Sequence, residues 1–200
     1  MPELPEVETC RRGIEPHVQG KIFKEVVVRQ SRLRWPIDDD LPQVLPGQSL
    51  MSLDRRGKYL LLAASEGTLI VHLGMSGSLR IADVLQPPRK HDHVDFIFDD
   101  DTVLRFHDPR KFGAILWTTE PVENHPLIAS LGPEPLSSGF SADHLLERIQ
   151  RRRVPIKSLI MDHHIVVGVG NIYASESLFL AGLNPMHRGC EVNLDDCRRL

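Results

Sequence analysis

Between residues 21 and 118 the apolar side chains recur at every second position, a period that restricts this stretch to short β-strands. Strand candidates follow one another at 22–29, 50–55, 59–62, 69–72, 78–81, 93–98, 103–107 and 114–118. Glu66-Gly67 and the run Asp99-Asp100-Asp101 supply turn chemistry between them. The period before this block is different. Residues 3–18 place Leu4, Val7, Cys10, Ile14 and Val18 three and four apart, with Pro5 in the first turn, where a helix loses no amide partner. The pattern predicts an α+β protein in which an N-terminal helix lies along a β-sandwich.

After Thr118 the pattern changes again. Pro121, Pro126, Pro133 and Pro135, with Gly132 and Gly139, mark a linker over 121–140 that separates a first domain, 1–120, from a second, 141–200. Ser141 caps a helix carrying Leu145, Leu146 and Ile149. Short helices are expected at 155–161 and 171–181, with Gly168 and Gly170 breaking the chain between them, and Asn193 opens another with an acidic first turn. This second domain reads as an incomplete helical unit, cut inside a domain, with an apolar face of the 171–181 helix left uncovered.

Charge and cysteine usage narrow the function. No run approaches the roughly 18 apolar residues of a membrane span. Glu3 and Glu6 spoil a secretory leader. Cys10, Cys190 and Cys197 form no C-x-x-C pair, so neither a zinc knuckle nor a disulfide framework is expected, and a reducing cytoplasm fits. A net charge of −3 argues against a polyanionic partner, but the average hides segregation. Base gathers at Arg29, Arg32 and Arg34, at Arg55, Arg56 and Lys58, at Arg105, Arg110 and Lys111, and at Arg151, Arg152, Arg153 and Lys157. Local basic faces can bind nucleic acid while the sum stays negative.

Five segments carry candidate chemistry. Removal of Met1 exposes Pro2 as a secondary amine. The reference pKa of an α-amino group is about 8 against about 10.4 for lysine, so more of it is neutral and nucleophilic. A helix N-terminus lowers it further. Glu3 beside it can move protons and Glu6, one turn on, can orient the site. Lys58 ends a basic hairpin tip and can neutralise a phosphate. His72-Leu-Gly-Met75-Ser-Gly sets an apolar side chain on a glycine-rich loop, a wedge for opened DNA. Asp108-Pro-Arg110-Lys111-Phe112-Gly113 puts an arginine beside an aromatic on a turn, able to face a base edge and stack. Glycines leading into Asn171, followed by Tyr173, resemble an anion-binding helix start. Taken singly, each segment has an ordinary structural explanation: a helix start, a surface lysine, a core plug, a turn.

Their joint order is specific. PELPEVET, GKYLLL, HLGMSGSLR, KHDHVD, DPRKFG and VVGVGNIYASESLF closely resemble segments of bacterial formamidopyrimidine-DNA glycosylases, from Pro2 to about residue 185. The resemblance implies a β-sandwich domain followed by a helix–two-turn–helix DNA-binding domain. Pro2 would be the nucleophile, Glu3 the proton shuttle and Glu6 a site-orienting carboxylate, with Lys58 completing the catalytic set. Lys58, His72 and Asn171 would grip phosphates, with Lys157, Tyr173 and His91 as further DNA contacts. Met75, Arg110 and Phe112 would fill the gap left by a flipped nucleotide, Arg110 reading the orphaned cytosine. The activity implied is removal of oxidised purines and cleavage at the abasic site, by a monomer acting on double-stranded DNA. Family members also carry a lesion-capping loop and a four-cysteine zinc finger. Neither is in this sequence, so no metal or other cofactor is expected. Two alternatives stay open: an endonuclease VIII-like glycosylase for oxidised pyrimidines, and a catalytically weak lesion-binding remnant.

Overall fold

The computed structural model describes residues 2–200. Met1, whose removal the chemistry above requires, lies outside them. The chain divides into two compact units between His125 and Pro126.

The first unit opens with helix α1 (Leu4–Val18), which buries Val7, Ile14 and Val18 and keeps charged residues outside. Eight strands follow: β1 (Phe23–Val28), β2 (Leu50–Arg56), β3 (Tyr59–Ala64), β4 (Gly67–His72), β5 (Ser78–Asp83), β6 (Asp92–Phe98), β7 (Thr102–His107) and β8 (Ala114–Thr118). They form two four-stranded antiparallel sheets, ordered β1-β6-β7-β5 and β2-β3-β4-β8. Alternation sets what each strand buries. Leu60 and Leu62 of β3, Leu69 and Val71 of β4, Phe96 and Phe98 of β6 and Phe106 of β7 enter one core shared by both sheets, so the architecture is a sandwich. α1 packs on the edge strands β2 and β5, covering backbone that would otherwise stand unpaired. The contact is specific: the Cys10 thiol donates to the Leu79 carbonyl at 3.3 Å, and the Arg11 guanidinium to the Leu53 carbonyl at 3.1 Å. A one-turn helix, α2 (Leu41–Val44), tucks Leu41 and Leu45 into the same core.

The second unit has its own core of Leu145, Ile149, Ile156, Leu159, Ile160, Ala174, Leu178 and Cys197, among others. Its helices are α3 (Pro126–Ala129), α4 (Ala142–Ile149), α5 (Ile156–Ile160), α6 (Asn171–Leu180) and α7 (Leu194–Arg199). The expected caps are in place. The Ser141 hydroxyl accepts from the His144 amide at 3.1 Å, and the Asn193 side chain from the Asp196 amide at 3.0 Å. Residues 126–140 are tied into this unit: Gly132 N–H donates to the His163 carbonyl, and the Val167 amide to the Pro133 carbonyl. On α6, Phe179 and Leu180 are each 82% exposed. No helix among the described residues is long and apolar enough to cross a membrane.

Candidate active site

Within the first unit the start of α1 and the tip of the β2–β3 hairpin converge. The hairpin turns on two residues, Gly57 and Lys58, since Arg56 pairs with Tyr59. Gly57 takes a left-handed φ of 57°, which a turn of this length requires and a side chain disfavours. Arg55 ties the hairpin to α1, donating to Glu8 Oε2 at 3.0 Å and to the Gly57 carbonyl at 2.9 Å. Hydrogen bonds from Arg11, Arg12 and Arg55 outweigh partial burial and hold the Glu8 carboxyl at about 2, so this clamp stays charged at any working pH. Arg55 therefore serves the fold, its guanidinium committed to Glu8 and the Gly57 carbonyl, although Glu8 is shared with Arg11 and Arg12 and the cluster keeps a positive excess.

The clamp sets Lys58 beside the N-terminal carboxylates. Burial pushes the Lys58 ammonium below its ordinary value, while the negative charges of Glu3 and Glu6 pull it back up. Glu3 is 2% exposed, and its amide donates to Glu6 Oε2 at 2.9 Å, fixing the first turn that follows Pro2. Glu3, Glu6 and Lys58 thus gather at the start of α1, next to Pro2: two acids and a cation beside the residue whose nitrogen would be freed by loss of Met1.

His72 ends β4 against the ring of Tyr59, with centroids 4.9 Å apart. Burial, reinforced by the positive charges of Arg34 and Lys58, lowers it to about 4. It is therefore neutral at physiological pH. Nδ1 accepts from the Gly74 amide at 2.9 Å, so the ring proton sits on Nε2, which remains a hydrogen-bond donor. In the DNA-free protein the group His72 offers to a phosphate is therefore its Nε2–H.

The two loops expected to fill a vacated base position are joined. A Cβ on Gly74 would lie 2.4 Å from the Phe112 carbonyl carbon, so the backbones touch and only glycine fits. Met75 and Phe112 are 40% and 44% exposed, and the Arg110 guanidinium lies 4.8 Å from the Phe112 ring centroid. What joins the loops is Asp108, which is 0% exposed. Its Oδ1 accepts from Ser76 Oγ at 2.8 Å and from the Arg110 amide at 3.2 Å, and its Oδ2 from the Gly113 amide at 2.8 Å. The Asp108 carbonyl also meets His93 Nε2 at 2.7 Å. His91 stands beside this loop, its carbonyl accepting from the Asp108 amide and its ring edge-on to His93 and His107. The sequence named the loop but missed Asp108; the signal available was an acid before proline at a turn start, where a carboxylate caps amides two residues on.

One grouping needs correction. Arg105 does not share a basic face with Arg110 and Lys111, because its side chain is 3% exposed. Asp95 lies opposite it in the β6–β7 register, and two hydrogen bonds of 2.7 and 2.8 Å bind the pair bidentately. Asp95 also takes Arg29, at 2.7 Å, so that arginine is committed as well. A separate surface pocket lined by Asp40, Gln48, Glu66 and Trp117 gathers none of the expected residues.

In the second unit α5 and α6 pack together, carrying Lys157 and the pair Asn171 and Tyr173. Gly170 caps α6 with extended backbone, and the first turn of α6 holds no acid. A helix start of this kind favours an anion. Asn171 and Tyr173 are exposed and Lys157 half-buried. As for zinc, three cysteines cannot make a four-thiolate set: Cys10 is bonded to a β-strand carbonyl, Cys197 is buried in the second core and Cys190 is exposed.

Comparison with known proteins accounts for nearly the whole chain. Residues 1–115 match the family model of the formamidopyrimidine-DNA glycosylase N-terminal domain, and residues 131–200 that of the formamidopyrimidine-DNA glycosylase H2TH domain. A formamidopyrimidine-DNA glycosylase of Methylococcus capsulatus is 56% identical over 200 residues, all of this chain and 74% of the relative. One from Acidithiobacillus ferrooxidans is 57% identical over 185 residues, 92% of this chain and 68% of the relative. Among solved structures, a Lactococcus lactis formamidopyrimidine-DNA glycosylase non-covalently bound to DNA containing an abasic site superposes with a TM-score of 0.91. Its identity is 32%, and the match covers 98% of this chain and 76% of that one. The Thermus thermophilus enzyme gives a TM-score of 0.86 at 36% identity, covering 99% of this chain and 71% of that one. The chain belongs to the formamidopyrimidine-DNA glycosylase family.

Proposed function

We propose that this chain is a bifunctional DNA glycosylase and abasic-site lyase of base excision repair, acting on double-stranded DNA that carries oxidised purines such as 8-oxoguanine and formamidopyrimidines. The observation that carries the reading is the gathering of Glu3, Glu6 and Lys58 around the start of α1, where Pro2 stands. A flipped nucleotide is needed because C1′ is shielded inside the stack. The Pro2 nitrogen, freed of Met1, forms a bond to C1′ as the bond from C1′ to the base breaks, and the base leaves with that electron pair and a proton. Glu3 is the group placed to move protons here. Opening of the sugar ring leaves an iminium between Pro2 and C1′. Loss of a C2′ proton then expels the 3′ phosphate, and a second elimination expels the 5′ phosphate. Lys58, neutral His72 and the Asn171 helix start hold the backbone phosphates, with Lys157, Tyr173 and His91 as further contacts. Met75, Phe112 and Arg110 occupy the space left by the flipped base. The enzyme acts as a monomer, in the cytoplasm, where the DNA lies. No step needs a metal.

Oxidised pyrimidines are a second substrate class worth testing, since a Lactococcus lactis relative has been solved with DNA containing an oxidised pyrimidine. The test is excision from duplexes carrying 8-oxoguanine or an oxidised pyrimidine, each opposite all four bases. Preferred cutting of 8-oxoguanine opposite cytosine, with phosphate on both ends of the gap, is expected. Arg110→Ala should cost about 1–3 kcal/mol opposite cytosine and flatten the preference. Binding of lesion DNA with no cutting at all would reduce the chain to a lesion-binding module.

A further inference from the structure

Outside the proposed DNA site, the turn between α5 and α6 brings Asp162, His163 and His164 together. One ligand atom from each lies within 4.8 Å of the other two. Asp162 Oδ1 accepts from the His164 amide at 3.0 Å and meets His164 Nδ1 at 2.9 Å, while the two imidazoles stand 4.1 Å apart, tilted by 35°. The sequence reading named no metal ligands, and neither histidine is used by the proposed repair chemistry.

The turn is built to hold this arrangement. The His163 carbonyl accepts from the Gly132 amide at 2.7 Å, and a Cβ on Gly132 would come within 2.7 Å of the His164 carbonyl oxygen, so the two segments touch through backbone. His144 Nε2 meets the Ile165 carbonyl at 3.0 Å, and Arg148 donates to the His164 carbonyl at 3.3 Å. The Asp162 carbonyl accepts from the Ile165 and Val166 amides. The backbone that presents the three side chains is therefore fixed, which leaves only side-chain ordering to oppose a ligand.

We propose that Asp162, His163 and His164 form a surface chelate for a late first-row divalent ion of the Co²⁺, Ni²⁺, Cu²⁺ and Zn²⁺ group. Two imidazoles and one carboxylate are the donor set those ions take, at about 2.0–2.2 Å each. Two such bonds in a tetrahedral arrangement put donor atoms about 3.4 Å apart. To admit the ion, the present 2.9 Å contact between Nδ1 and Oδ1 opens by a few tenths of an ångström, the donor atoms that stand as much as 4.8 Å apart close toward that spacing by side-chain rotation, and the His164 ring carries its proton on Nε2 instead of Nδ1. Water fills the remaining positions, because His163 and His164 are exposed. Positive charge opposes binding: Arg152 Nη1 lies 3.5 Å from Asp162 Oδ2, and Arg148 donates to the His164 carbonyl at 3.3 Å. The Arg152 side chain is 44% exposed and can swing away, and its charge sets the affinity below that of a closed site.

The test is calorimetric and spectroscopic titration of the full chain with Co²⁺ alone, in a buffer that does not chelate. Saturable binding at one site is expected, with visible d–d bands and no strong near-ultraviolet sulfur-to-cobalt band. Binding should fall at least tenfold in His163→Ala/His164→Ala, persist in Cys190→Ser and tighten several-fold in Arg152→Gln. Melting curves of each variant without metal confirm that it folds. Co²⁺ binding unchanged in the double histidine variant, a thiolate band that disappears in Cys190→Ser, or no saturation at millimolar Co²⁺ would each overturn the proposal.

Discussion

Replacing Asp108 by asparagine removes a charge and turns one oxygen into an amide nitrogen while keeping the shape. In the native loop both carboxylate oxygens accept: Oδ1 from Ser76 Oγ and the Arg110 amide, Oδ2 from the Gly113 amide. Asparagine offers one acceptor. If its oxygen keeps Ser76 and Arg110, its NH₂ confronts the Gly113 N–H, donor against donor, in a site with no water access. Hydrogen bonds to a charged group are worth about 1.5–3 kcal/mol, and a buried donor left without an acceptor costs about 1–3 kcal/mol, so a loss of about 3 kcal/mol is expected. At a rough 2–4 °C per kcal/mol for a chain of this size, that lowers Tm by about 6–12 °C. Ser76→Ala, which removes one donor and leaves the carboxylate satisfied by two amides, should cost less, about 1.5 kcal/mol, the low end for a bond to a charged group. The functional consequence is separate from the stability loss. Asp108 is the bond between the Met75 loop and the Arg110–Phe112 loop, so Asp108→Asn, assayed well below its Tm, should lose opposite-base discrimination along with excision rate. Denaturant melts and single-turnover excision on the four opposing bases measure both. A variant with wild-type stability and wild-type discrimination would refute the account of how these loops are held.

Two further perturbations test individual roles. Glu3→Gln should slow base removal by about 10²–10⁴-fold, the worth of a proton-transfer group, while lesion binding stays close to wild type; weakened binding with normal excision would reassign Glu3. His72 should titrate near 4 in a ring-proton NMR experiment, with its proton on Nε2 at neutral pH. Because its folded pKa lies below the ordinary 6.5, the unfolded chain binds more protons between those values. This group's contribution to stability is therefore complete above about 6.5 and lost as pH falls toward 4. A ring that titrates near 6.5 would contradict the burial argument.

How much of this was legible in the sequence depends on whether the signal was local. The Ser141 and Asn193 caps were readable because the capping side chain and the amide it takes are three residues apart. The strands were readable because a buried sheet face imposes a period of two. α2 and α3, four residues each, are too short to show any period; α2 is held by Leu41 and Leu45 reaching the first core, and α3 by burial of Ile128. The pairing of Arg105 with Asp95 was invisible because it depends on the β6–β7 register, as was the ion pair of Arg55 with Glu8 across 47 residues. Basic clusters counted along the chain therefore overstate the free positive charge. At the site, the family resemblance offered candidate residues by name, but the lowered pKa of His72 and the clamp through Asp108 required the fold.

The central claim is that the nitrogen of Pro2 becomes covalently joined to the sugar. Sodium borohydride reduction during incubation with abasic-site duplex measures it directly, because an iminium is reduced to a stable amine and the protein migrates with its DNA. The account predicts efficient trapping by protein whose Met1 has been removed, peptide mapping of the adduct to Pro2, and no trapping when Met1 is retained and the Pro2 nitrogen is an amide. Equal trapping by the Met1-retaining form, with the adduct mapped to Lys58, would contradict it.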